Sequence, residues 1–410
     1  MKKVLLTTLA AATILTGNFM FAPPKAEASN VDDAKSLVAS VAAKFKDVKG
    51  HWAEEAIAKA YDLKLITGYQ DGTFKPNGKI TRAEFGAILS RATKLTTTTG
   101  TNLFPDMQGN WAEPAISQLV AQGFINPSDY PKGFNPNAEM TRYEMMKWIA
   151  NGLIKSDDSF KKAFEDTKNT LLPTPEATRN EISSDQVPNI ALVRGTGIIE
   201  GFEDGSLKPS STTTRAEVAA ILLRYMNVEG SNADSYTDLK EMREVGTTGS
   251  NLTTLTNYFY SVRSVKVNDI ANSKITLKNN AGILNLHRLI VVDARGSKPK
   301  GIYAPLFVGK SYLQGGYLVF SDVSFTSNLE TSKSDPIVYN SGLPGTLISF
   351  HRIDLKVANK NGLVTIPMNT SELFTKGVEK RLWMQSVLET RNWGYNLHTD
   401  TAGTILIQNH

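Results

Sequence analysis

The sequence predicts a multidomain protein: an all-α N-terminal bundle of helix–loop–helix units, then a mostly β C-terminal domain of sandwich or barrel-like form. Three observations carry this prediction. The chain has 410 residues, more than one ordinary core accommodates. The phrase GYQDGTFKP at Gly68–Pro76 returns as GFEDGSLKP at Gly201–Pro209, each time shortly ahead of Thr-Arg-Ala-Glu, which signals internal repetition. Beyond about residue 250 the composition turns to β-branched and aromatic residues, the strand formers.

The first segment reads as a secretory signal over residues 1–28. Lys2 and Lys3 precede an apolar run from Val4 to Phe21, and Ala26-Glu27-Ala28 offers the small residues of a cleavage site. Thr7, Thr8, Thr13, Thr16, Gly17 and Asn18 interrupt the run, so a permanent transmembrane segment is not expected. The chain contains no cysteine, which excludes a disulfide scaffold, a thiolate nucleophile and cysteine-ligated zinc. Residues 246–410 carry 17 Lys+Arg against 10 Asp+Glu, and the rest of the chain 28 against 30. That modest basic excess suits anionic surfaces and is no nucleic-acid signature.

Three units share landmarks. The first runs from FKDVKGHWAEEAI (Phe45–Ile57) to ITRAEF (Ile80–Phe85), and the second from FPDMQGNWAEPAI (Phe104–Ile116) to MTRYEM (Met140–Met145). The third is placed from FEDT (Phe164–Thr167) to TTRAEV (Thr213–Val218). Arg82 and Arg142 are 60 residues apart, and Arg142 and Arg215 are 73 apart because of an insertion around LLPTPEATRNEISSD. The expected boundaries are 44–95, 103–155 and 163–228.

Each unit follows one local logic. HWAEEAIAKAYDLKLI sets Trp52, Ala56, Ile57, Ala60 and Leu63 on one helical stripe. The loop GYQDGTFKPNGK gathers turn formers, and Gly72 after Asp71 suits a positive φ. Thr81 with Glu84, Thr141 with Glu144 and Thr214 with Glu217 have capping-box spacing, so a second helix starts after each threonine. Two short helices bury little core alone, so the units must pack on one another.

The arginines inside those boxes do not follow from that logic. Arg82, Arg142 and Arg215 lie in a first helical turn, where the dipole disfavours cations. Two explanations stand side by side. Each arginine could pair with the acid of an F-x-D start (Asp47, Asp106 or Asp166). Alternatively it holds a ligand carboxylate or phosphate together with the helix N-terminal amides.

The pattern F-x-D-V, HWA, AI, GY-x-DG-x-F-x-P and ITRAEF resembles the S-layer homology (SLH) motif of Gram-positive surface proteins. The resemblance implies a pseudo-threefold bundle whose grooves bind a secondary cell-wall polysaccharide through its pyruvylated sugar. It also implies a secreted protein at the cell wall or S-layer, with other S-layer subunits as partners if it forms a lattice. Carried onto this chain, the anion-binding residues are Arg82, Arg142 and Arg215. Trp52 and Trp111 would stack on sugar faces, and the turns at Asp71-Gly72 and Asp204-Gly205 would wall the grooves.

The units depart from the pattern unequally. The second has GFINPSDYPKGFNPN and so lacks the Asp-Gly turn, and the third aligns Asp185 with Trp52 and Trp111. Grooves of unequal competence are expected, the strongest being the one completed by Trp52, Asp71-Gly72 and Arg82 of the first unit. The QDG and EDG turns offer fewer acids than a calcium loop needs, so no metal is expected there.

Residues 229–250, with EMREVGTTGSN, read as a linker to a β domain over 251–410. GIYAPLFVG, GGYLVFSDVSF, TLISFHRIDLKVA and GLVTIP read as strands, and SELFTKGVEKRLWMQSVLET as a helix. The histidines there, His287, His351, His398 and His410, form no metal-binding pair, and no nucleophile elbow or cofactor fingerprint is present. HRLIVVDARG and FHRIDLK mix His, Asp and Arg as an exposed sheet face does. The expectation is a non-enzymatic surface protein without cofactor. The alternative is a wall-anchored hydrolase whose catalytic domain carries no familiar motif.

Overall fold

The computed structural model describes residues 31–409 apart from 97–98, 311, 313, 331–334 and 370–373. The expected signal segment lies outside the described residues. Helix α1 (Val31–Lys44) leads into the first repeat, formed by α2 (Glu54–Asp62) and α3 (Arg82–Ala92). The second repeat is α4 (Glu113–Ala121) and α5 (Arg142–Ser156). After α6 (Asp158–Asp166) and the one-turn α7 (Pro175–Thr178), the third repeat is α8 (Val187–Gly195) and α9 (Arg215–Val228). No helix among the described residues is long and apolar enough to cross a membrane.

A ring of three backbone hydrogen bonds ties the repeats together. Ile80 N donates to Thr213 O (3.1 Å), Thr213 N to Met140 O (3.0 Å), and Met140 N to Ile80 O (2.8 Å). All three residues have no solvent exposure, so they mark a buried pseudo-threefold axis. The second helices then enter in rotation. Arg82 N donates to Ala138 O, Arg142 N to Ser211 O and Arg215 N to Gly78 O, so each helix start is capped by the next repeat's loop. The threonine caps appear as expected at Thr81, Thr141 and Thr214. The second box is altered: Thr141 accepts Glu144 N, but the Glu144 carboxylate turns outward to the neighbouring repeat.

The third repeat starts later than its FEDT string suggested. Asp47 accepts the amides of Phe74 and Lys75, and Asp106 those of Phe134 and Asn135. The residue that accepts Leu207 N and Lys208 N, both at 2.8 Å, is Glu176. Asp166 instead binds Arg243 and Lys162. The insertion displaces the acid in sequence, and the longer glutamate side chain restores its reach.

The 229–250 segment is not a linker. Helix α10 (Thr237–Thr248) packs on α6 and α8, burying Leu239, Met242 and Val245. These apolar positions form a short helical stripe that its Gly and Thr residues mask. Gly249 ends the helix at φ 82°, and its carbonyl accepts Leu289 N from the first long strand of the next domain.

The C-terminal region is built of two antiparallel sheets. After α11 (Leu252–Leu255), the strands are β1 (Tyr258–Tyr260), β2 (Ile275–Thr276), β3 (Gly282–Asp293), β4 (Gly316–Ser327), β5 (Glu379–Glu389), β6 (Gly394–His398) and β7 (Thr404–Asn409). One sheet has the order β2-β3-β4-β5 and the other β1-β7-β6, and a shared core lies between them. The opposite face of the larger sheet, through Ile290, Val292, Leu318 and Phe320, joins the same core as the helical repeats.

Four strand and helix expectations fail here. GIYAPLFVG contains the helical turn α12 (Ala304–Phe307), and TLISFHRIDLKVA, which follows α13 (Pro336–Gly342), forms no strand and runs into α14 (Leu355–Asn361). GLVTIP contributes only an isolated bridge, Thr365 to Trp383. The expected helix around RLWMQSVLE is β5, paired in register with β4 from Gly316–Glu389 to Thr326–Glu379. Its Leu, Met, Gln and Glu favour helix locally, but both faces of β5 are engaged and tertiary pairing overrides the preference.

Candidate functional site

Each long loop between repeat helices contains a turn that presents an aromatic ring over an arginine from the preceding repeat. The Arg82 guanidinium carbon lies 5.1 Å from the Tyr130 ring centre, Arg142 4.8 Å from Phe202, and Arg215 4.8 Å from Tyr69. A lysine flanks two of the rings, Lys75 at 4.2 Å from Tyr69 and Lys208 at 4.1 Å from Phe202. Such cation–π contacts leave a part-exposed aromatic ring beside positive charge.

These pairings correct the expected grouping. Trp52, Asp71-Gly72 and Arg82 do not complete one groove, because the Tyr69 turn covers Arg215 while Arg82 lies under the second repeat's Tyr130. The second repeat also keeps its turn: Gly133 N donates to Tyr130 O and Gly133 takes φ 100°, as Gly72 and Gly205 do at 75° and 85°. Only the aspartate is lost there. In the other two turns that aspartate serves the turn itself. Asp71 accepts from the hydroxyl and amide of Thr73, and these bonds hold its carboxyl below its ordinary value. Asp204 does the same with Ser206; partial burial opposes its ionisation, but those bonds and nearby Lys208 and Lys360 hold it low.

The arginines meet none of the three expected acids, Asp47, Asp106 and Asp166. Arg82 donates from Nε to Glu144 Oε1 (2.7 Å) and from Nη1 to Phe134 O (2.8 Å). Arg142 donates to Glu217 Oε1 (2.9 Å) and Leu207 O (2.9 Å). Arg215 donates to Phe74 O (2.9 Å) and Thr67 O (2.6 Å). For Arg82 and Arg142 the acid is thus the N3 glutamate of the following repeat's helix, while Asp47 and Asp106 hold their loops' amides. Exposure separates the three. The Arg82 side chain is 22% exposed and that of Arg142 3%, and Arg215 is buried at 6%. Tyr130, which donates to Glu144 (2.6 Å) and accepts from Trp148 Nε1 (2.9 Å), has its pKa pushed far up by burial and by Glu144.

Trp52 and Trp111 are surface residues, 37% and 66% exposed. Trp52 follows His51, whose Nε2 lies 3.3 Å from Asn77 Oδ1 in the loop that caps Arg215. The Trp52 ring lies 5.5 Å from that of His51. Asp185 occupies the corresponding place two residues before α8. Sequence reasoning missed Tyr69, Tyr130 and Phe202 as platforms. The signal was the aromatic that opens the turn phrase in the first and third units.

In the β domain, the bulge between Leu286 and Arg288 turns His287 toward Ser324, with Nε2 2.9 Å from Oγ. Burial depresses the His287 pKa, outweighing Asp322. Asp322, only 2% exposed, is engaged by Arg381 at 2.8 and 2.7 Å. Its carboxylate thus serves an ion pair on the sheet face.

Comparison with known proteins agrees with this geometry. Residues 44–85, 103–146 and 181–219 match the S-layer homology domain family, so the N-terminal region comprises three S-layer homology domains. A cellulosome-anchoring protein of Acetivibrio thermocellus is 39% identical over 116 residues, 27% of this chain and 26% of that protein. An S-layer protein of Bacillus thuringiensis subsp. finitimus is 26% identical over 199 residues, covering 48% of this chain and 23% of its own length. An exoglucanase, XynX, of Acetivibrio thermocellus is 29% identical over 189 residues, 46% of this chain and 16% of that enzyme. The matched stretches thus span about a quarter or less of these relatives.

Proposed function

We propose that this protein is secreted and held non-covalently at the bacterial cell wall by its S-layer homology domains, which bind a pyruvylated secondary cell-wall polysaccharide. The observation that carries this reading is the threefold recurrence of an aromatic ring, exposed at Tyr69 and part-buried at Tyr130 and Phe202, seated on an arginine. Aromatic faces stack on sugar rings, and adjoining cations attract an acidic substituent. Names of relatives such as the cellulosome-anchoring protein and the S-layer protein support an anchoring role. The β domain is displayed at the surface as a non-enzymatic module, a reading supported by the commitment of Asp322 to Arg381 rather than to a His287–Ser324 dyad.

The test is sedimentation of the full chain with cell walls. It should pellet with walls that retain their polysaccharide and stay in solution with walls stripped of it; equal pelleting with both would refute the reading. A clearing band from the full chain on a wall-containing gel would instead establish a hydrolase.

A further inference from the structure

The inserted segment of the third repeat is built into the domain junction. Residues 171–176 are all buried. Tyr303, fully buried in the β domain, donates from its hydroxyl to Leu171 O (2.8 Å), and Thr170 Oγ1 donates to Met242 O (2.6 Å). Arg179 Nη2 reaches Lys360 O (2.6 Å) on α14, and the Thr178 hydroxyl donates to Asn361 O. Asn361 Nδ2 in turn donates to Leu306 O of α12 (2.8 Å).

The same positions in the other repeats face water. Pro175 and Glu176 are buried, whereas Lys46 and Pro105 are exposed, Asp106 is exposed and Asp47 is half-buried. Two further features separate the third cradle from the second, while Arg215 in the first is about as buried as Arg142, at 6%. Its ion pair is sealed, with the side chains of Arg142 and Glu217 at 3% and 9% exposure against 22% and 13% for Arg82 and Glu144. Its rim presents two exposed acids, Glu203 and Asp204, after the aromatic ring, where the second repeat presents Pro131 and Lys132 and the first Gln70 and a single acid, Asp71. Adjacent carboxylates repel an anionic sugar. The tryptophan position holds Asp185, a third acid.

We propose that the third repeat is given over to docking the β domain, leaving two wall-binding cradles: Tyr130 over Arg82 and Tyr69 over Arg215. This rests on the polysaccharide reading above. It makes the anchor bivalent and fixes the direction in which the β domain leaves the wall, because insert, α10 and sheet form one packed unit.

The experiment is calorimetric titration of the full chain with a short pyruvylated oligosaccharide, too short to bridge cradles. Two sites per chain are expected. Three would overturn the inference while leaving the anchoring reading intact; no binding at all would remove both. In parallel, the double variant Tyr69→Ala/Tyr130→Ala, checked for folding by its melting curve, should lose at least a hundredfold in affinity. Retention of a wild-type-strength site in that variant would place binding in the third cradle and overturn the inference.

Discussion

Arg82 Nε lies 2.7 Å from Glu144 Oε1, so the first repeat's arginine is paired with the acid that opens the second repeat's long helix. The contact explains why a cation occupies a helix N-terminus, where the dipole opposes it: its partner belongs to the next unit, and the pair fixes the rotation between them. Arg142 and Glu217 repeat the contact one step on. At the third step Arg215 holds two carbonyls of the first repeat instead.

Arg142→Ala should be the most destabilising of the three arginine truncations. It leaves Glu217 buried without its cation and removes the donor to Leu207 O. Loss of one partner of a buried pair costs about 3–5 kcal/mol. Chemical denaturation of the full chain should show this loss, against about 1 kcal/mol for the part-exposed Arg82. Equal losses would mean that the Arg142 pair is not the closed clamp described.

Arg82→Ala should weaken wall binding most while the protein stays folded. A charge-assisted contact contributes about 1.5–3 kcal/mol, so affinity for the acidic polymer should fall about ten- to a hundredfold. Wall-pelleting isotherms of Arg82→Ala against wild type measure it. An unchanged isotherm would remove Arg82 from the binding surface.

The sequence displays the repeats, the threonine caps and the turn phrase because each is local: the relevant residues lie within a few positions of one another. What it conceals is assembly. Arg82 reads as part of the first unit, yet its ring and acid, Tyr130 and Glu144, come from the second. Glu176 is concealed because the insertion places it 31 residues before Leu207, where Asp47 stands 27 before Phe74. The strand β5 reads as a helix because its helix formers are recruited by β4. The β domain's docking surface is spread over Leu171, Tyr303 and Asn361, and no sequence window contains it.

Glu176→Ala should unfasten the third loop. Both Leu207 N and Lys208 N would lose their acceptor, a loss of about 1–3 kcal/mol for the buried Leu207 donor left unsatisfied. Amide exchange at Leu207 and Lys208 should accelerate well before global unfolding. Unchanged protection there would return the acid's role to another residue.

The junction should be more stable in mild acid. Glu241, 1% exposed, accepts Asn251 Nδ2 at 2.9 Å beside the Ile302 amide. Burial pushes its carboxyl from 4.5 to about 7; Asp238 and Glu244 push the same way, and the bonds from Asn251 and Ile302 oppose them. A raised folded-state pKa contributes stability that is complete below about 4.5 and is lost as pH rises through about 7. Glu241→Gln should therefore flatten the melting temperature between pH 5 and pH 8 relative to wild type. A variant with the wild-type slope would assign that pH dependence elsewhere.

Hydroxyl-radical footprinting of the full chain on its wall polysaccharide addresses the central claim most directly, because it reads individual rings. Trp393, 86% exposed on the β domain, is the internal control. Binding should protect Tyr69, Tyr130, Trp52 and Trp111 several-fold and leave Trp393 unchanged. If the bound protein shows those four rings as reactive as in the free chain, the aromatic–arginine cradles are not what holds it to the wall.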